Sequence, residues 1–103
     1  NLHRAPGYCV NPPAESLNLW NDEAALEAAV FHWRHLAERY KGRPNTEVSF
    51  DLLNEPANVD EARYVRVVRA MVEGIRSVDP NRLIIADGLD YGTKPVFGLA
   101  DLK

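Results

Sequence analysis

The sequence predicts an α/β fold in which parallel strands alternate with helices, and three observations carry that prediction. Two segments, residues 21–41 and 60–78, repeat apolar residues at helical spacing. Two apolar runs, "EVSFDLL" at 47–53 and "RLIIADG" at 82–88, are too short for helices and lie between turn formers, which suits strands buried on both faces. The opening "NLHR" reads as the end of a further strand. Strands separated by helices of this length pair in parallel through right-handed crossovers.

Each element has its own signals. The opening "NLHRAPG" carries neither a helix cap nor a turn of its own and reads as a strand entering a loop, as though the chain began inside a longer protein. From Gly7 to Trp20 the two adjacent prolines and scattered turn formers predict a loop without regular structure. A helix follows, with Asn21 as N-cap, Asp22 and Glu23 at the positive end of its dipole, and a stripe of Leu26, Val30, Trp33, Ala37 and Tyr40. Gly42 and Pro44 stop it. After the strand at 47–53, a second helix starts near Asp60 and places Tyr64, Val68, Met71, Ile75 and Val78 on one face. "DPNR" at 79–82 turns the chain into the strand "RLIIADG", and "LDYGTKPVFGLADLK" trails off as a loop.

Composition narrows the classes of function. Twelve Lys and Arg against fifteen Asp and Glu give a net charge of -3 in 103 residues, which offers no field for a polyanion, so nucleic acid is not an expected partner. The single Cys9 excludes an internal disulfide or a CxxC motif and reads as a small loop hydrophobe rather than a nucleophile. No stretch reaches the roughly 18 apolar residues of a membrane helix, and the N-terminal pattern is not that of a signal peptide. His32, His35 and Glu38 share a helix but lack a fourth ligand, so no metal is expected there. Arg63, Arg66, Arg69 and Arg76 are interrupted by Glu61 and Glu73 and read as a solvated outer face.

In parallel α/β folds ligands gather at the carboxyl ends of the strands. Polar groups stand at all three such ends here: His3 and Arg4, then Asn54 and Glu55, then Asp87 with Asp90 and Tyr91. Alternation along the second strand puts Ser49, Asp51, Leu53 and Glu55 on one face and Val48, Phe50 and Leu52 on the other, toward the helices. Glu55 is then a rim carboxylate, partly desolvated and next to an amide, the kind of group whose pKa rises enough for general-acid work. A cap for the next helix or a partner for an arginine explains its position equally well. Asp51, deeper in the same column, is expected to hold a neighbouring side chain by hydrogen bonds. Tyr8 and Trp20, in the loop after the first strand, offer faces for a sugar ring or for packing against the neighbouring helix.

The residues also carry a resemblance. "FDLLNEPA" resembles the Asn-Glu-Pro signature that ends the fourth barrel strand in glycoside hydrolase family 5, the cellulase and mannanase family. "NLHRAPGY" is similar to that family's third-strand ending, and "SVDPNRLIIADG" to the segment leading into its fifth strand. Ser49 departs from the larger apolar or aromatic residue usual there and touches no catalytic position.

The resemblance implies a partial (β/α)8 TIM barrel, with residues 1–103 as one piece of a single catalytic domain that takes about 250 residues when complete. It implies that Glu55 is the acid/base of a retaining hydrolase acting on β-linked glucan or mannan, that Asn54 hydrogen-bonds the sugar 2-hydroxyl, and that His3 lines the same subsite. It implies no cofactor, and secretion or a periplasmic location is usual for such enzymes. Retention needs a second carboxylate, the nucleophile, about 5 to 5.5 Å from the first; in the family it lies on the seventh strand, and neither Asp87 nor Asp90 matches it. The piece by itself is therefore expected to be inactive and to associate with copies of itself through open sheet edges. Two readings from other classes stand beside this one, a silent barrel or carbohydrate-binding protein, and a small α/β interaction domain whose helices would have to cover both faces of its sheet.

Overall fold

The structure, a computed structural model, describes residues 1–103, and its elements alternate in the predicted order. Helix α1 (Glu23–Tyr40) and helix α2 (Glu61–Arg76) lie against each other, and the two strands that follow them, β3 (Phe50–Asp51) and β4 (Ile84–Ile85), pair in parallel. The register sets Phe50 beside Ile84 and Asp51 beside Ile85. Phe50 and Ile84 pack into the core, whereas Ile85 and Leu83 are exposed, so the helices cover one face of the pair.

The helices form where the apolar stripes predicted them. On α1 Leu26, Trp33 and Ala37 are buried, joined by Ala25 and Ala29, with Val30 and Tyr40 half-buried at the margin. On α2 Tyr64, Val67, Val68, Met71, Val72 and Ile75 are buried, and Asp60 caps the first turn by accepting from the Arg63 amide. Val78 lies just beyond the helix end. Trp33 meets Phe50 at 5.1 Å between ring centroids, which ties α1 to β3. No helix is long and apolar enough to cross a membrane.

Four expectations need correction. The cap of α1 is Asp22 rather than Asn21, and its carboxylate accepts from the Asn18 amide instead of from the helix. The ladder of the predicted strand 47–53 covers only Phe50–Asp51, because it has one partner strand; flanking bonds from Phe50 N–H to Leu83 and from Leu52 N–H to Ile85 extend it slightly. The opening residues form no parallel ladder, and a single bond from Asn54 N–H to the Leu2 carbonyl (3.0 Å) marks their adjacency to β3. The supposedly irregular loop contains a small antiparallel hairpin, β1 (Arg4–Ala5) with β2 (Tyr8–Cys9).

That hairpin closes because Gly7 takes φ +79°, and because its missing side chain lets the backbone of Leu19 approach to within 2.5 Å of where a Cβ would stand. Arg4 then staples the long loop, donating to the carbonyls of Asn11 and Pro13 and pairing with Glu15. The tail is more ordered than a plain loop. Leu89 and Lys94 exchange two backbone bonds around a tight turn, and Phe97–Leu99 forms a 3-10 turn. The arginines of α2 are individually tied, Arg63 to Asp60, Arg66 to Glu23, Arg69 to Asp101 and Arg76 to the Arg82 carbonyl.

Candidate active site

The strand β3 delivers Asn54 and Glu55 to the end of the sheet as expected, but the alternation used to place them breaks there. Leu53 is buried, and Glu55 adopts φ +49°, which turns the chain out of the extended path. An L-residue in that region is uncommon outside tight turns and functional sites. Two side chains hold it there. The Glu55 N–H donates to Oδ2 of Asp87 at 3.1 Å, and the Tyr8 hydroxyl donates to the Glu55 carbonyl at 2.7 Å.

The Glu55 side chain itself is exposed and makes no hydrogen bond or ion pair. Neither alternative reading of its position holds, since Asp60 caps α2 and no arginine pairs with Glu55. The expected partial desolvation is corrected as well, because one neighbouring strand cannot enclose the carboxylate. Asn54 is half-buried beside it and His3 is exposed, so three of the predicted site residues lie at the ends of adjoining chain segments.

Tyr8 and Trp20 do not offer free faces. They are 9% and 5% exposed, their rings 5.1 Å apart, and Trp20 packs edge-on against Tyr64 at 6.1 Å. This is the packing alternative, and neither ring is available to a sugar in this arrangement. Burial raises the pKa of the Tyr8 hydroxyl, opposed by the nearby Ala57 amide, so it remains a donor toward Glu55.

Carboxylates crowd the same end. Burial first, and the negative charge of Asp87 second, push the Asp51 carboxyl above its usual range against the pull of the Asn1 amide, which donates to Oδ2. Oδ1 of Asp51 is buried without a partner. Asp87 is occupied by the Glu55 amide, and Asp90 pairs with Lys94 on the surface. His32, His35 and Glu38 are exposed on α1, where His35 stacks on Phe31. A cavity of about 660 Å³ between α2, β4 and the tail is lined by none of Glu55, Asn54 or His3.

Sequence reasoning missed the supporting cast. Tyr64, read only as part of a buried stripe, donates its hydroxyl to the Asp87 carbonyl at 2.6 Å; a tyrosine in a buried stripe needs such a partner, and that was the available signal. Burial and the nearby carboxylates Asp87 and Asp51 raise its pKa far above the usual phenol range. Tyr8 and Asp87 gave no local signal of their bonds to Glu55.

Residues 1–101 match the family model described as Cellulase (glycosyl hydrolase family 5). Endoglucanase C of Acetivibrio thermocellus is 31% identical over 93 residues, which are 90% of this chain and 26% of that protein. A crystal structure described as a glycoside hydrolase is 41% identical and superposes with a TM-score of 0.94 over 98% of this chain and 33% of its own. The endoglucanase Cel5A of Thermotoga maritima, at 31% identity, gives 0.64 over 82% of this chain and 27% of its own. The chain thus spans about a quarter to a third of the length of these relatives.

Proposed function

Because the chain belongs to glycosyl hydrolase family 5, whose members fold as (β/α)8 barrels, we propose that residues 1–103 form part of one catalytic domain that hydrolyses β-linked glucan or mannan with retention of configuration. Glu55 is its acid/base, protonating the glycosidic oxygen and then activating water. Asn54 binds the sugar 2-hydroxyl, and His3 lines the subsite. The endoglucanase relatives support a β-glucan substrate, and a structure of the Thermotoga enzyme described with mannotriose supports a mannan alternative.

The observation that carries this reading is the state of Glu55. Its backbone is fixed at both polar groups while its carboxyl is unpaired and open at the strand end. A carboxylate serving structure would be expected to use its oxygens. The nucleophile is a second carboxylate that, as the family resemblance implies, lies on a later strand outside these residues; within them Asp87 accepts the Glu55 amide and Asp90 pairs with Lys94. The interaction-domain reading finds no support, because the two helices leave one sheet face open.

In the intact enzyme Glu55→Gln tests the assignment. Loss of a general acid lowers the rate by about 10²- to 10⁴-fold on poorly activated substrates and much less on aryl glycosides with good leaving groups, with binding retained. An unimpaired variant removes Glu55 from the mechanism.

A further inference from the structure

Glu55 sits in the left-handed region at φ +49°, a strained conformation for a side-chain-bearing residue that persists where the surroundings over-determine it. Its surroundings do so. Asp87, from the end of β4, takes the Glu55 N–H at 3.1 Å, and Tyr8, from β2, gives its hydroxyl to the Glu55 carbonyl at 2.7 Å. One residue later the Pro56 carbonyl accepts the Tyr91 N–H at 3.1 Å.

Both clamping residues are themselves anchored in the core. The Tyr8 ring packs on Trp20, and the Asp87 backbone is held by the hydroxyl of Tyr64, a side chain 1% exposed. The Glu55 side chain beyond its Cβ touches no polar partner, so what the fold fixes is the direction of its Cα–Cβ bond, and with it the region its carboxyl can reach, through the backbone. Rotation of either adjoining peptide would swing the carboxyl away from a fixed glycosidic bond.

We infer that Tyr8 and Asp87 are positioning residues for the reaction, each fixing one polar group of the Glu55 backbone so that its carboxyl is presented to the leaving-group oxygen. This rests on Glu55 being the acid/base. It gives Tyr8 a role other than sugar stacking and Asp87 a role other than nucleophile.

The test uses the intact enzyme that contains these residues, with Tyr8→Phe, Asp87→Ala and Asp87→Asn compared on phenyl and dinitrophenyl β-cellobiosides. Misplacing a catalytic group by about an ångström costs up to about a hundredfold. The expected result for Tyr8→Phe and Asp87→Ala is a drop in kcat/KM of roughly ten- to a hundredfold on the phenyl substrate, where proton donation matters, and a much smaller drop on the dinitrophenyl one. Asp87→Asn keeps an acceptor oxygen for the Glu55 amide and should recover most of the loss. Equal losses on both substrates, or none, in variants with wild-type melting behaviour overturn the inference. Tyr8→Phe retains the ring on Trp20, so it decides the matter if Asp87→Ala does not fold. Glu55→Gln run alongside separates the two ideas: if it shows the leaving-group dependence and the clamp variants do not, only the clamp fails, and if it shows none, the acid/base assignment fails and the clamp with it.

Discussion

The guanidinium of Arg82 lies 5.3 Å from the ring centroid of Phe50, and the same group donates to the carbonyls of Val48, Tyr40 and Arg43 and to the carboxylate of Asp79. One buried cation therefore closes the last turn of α1, fixes the entry to β3 and holds the turn before β4. Its planar fork with several donors suits such a site, and an ammonium does not reproduce it.

Arg82→Met should thus cost about 3 kcal/mol, since it leaves the largely buried Asp79 carboxylate and three carbonyls without their donor. Arg82→Lys should recover only a minor part. Urea unfolding of the intact enzyme measures both, and a cost under about 1 kcal/mol for Arg82→Met would show that the pair behaves like an exposed one.

Gly74 on α2 faces α1 closely, as a Cβ there would stand 2.8 Å from Cγ1 of Val30 and 3.3 Å from Cγ of Arg34. Two effects oppose each other in Gly74→Ala. Helix propensity favours alanine by about 1 kcal/mol, while overpacking costs about 1 to 3 kcal/mol, and the nearer neighbour is a β-branched side chain stiff at χ1. The net expectation is a destabilisation of about 1 kcal/mol, read as a lower denaturation midpoint; a stabilised variant would mean that α1 shifts freely.

Asp51 supplies a pH dependence. Burial and Asp87 raise its pKa in the folded protein, so ionising it opposes folding. The sign follows: the penalty is absent below the ordinary value of 3.8 and grows as pH rises through the raised folded value. Asp51→Asn should raise the melting temperature at neutral pH, and the gain should vanish well below pH 3.8. A gain of equal size at both would show that packing, not charge, is responsible.

Leu83 and Ile85 are 51% and 42% exposed on the open sheet face, beside a strand with a free edge. The purified 103-residue chain should therefore associate with itself in sedimentation velocity and should not hydrolyse a glucan or an aryl glycoside. A monodisperse monomer would contradict the first expectation, and any turnover the second.

By itself the sequence determined the order of strands and helices, the faces of α1 and α2 and the arrival of Asn54 and Glu55 at a strand end. These depend on periodicity, caps and breakers acting within a few residues, as Asp60 at α2 and Gly42 after α1 illustrate. The tertiary structure alone decided what holds Glu55. Tyr8 is 47 residues away in sequence and Asp87 is 32, so neither bond leaves a local trace. The same reason hides Arg82, which reads as the last residue of a turn until α1 and β3 place their carbonyls around it. It also ended the alternation at Glu55, whose left-handed backbone breaks the extended geometry on which a two-residue period depends.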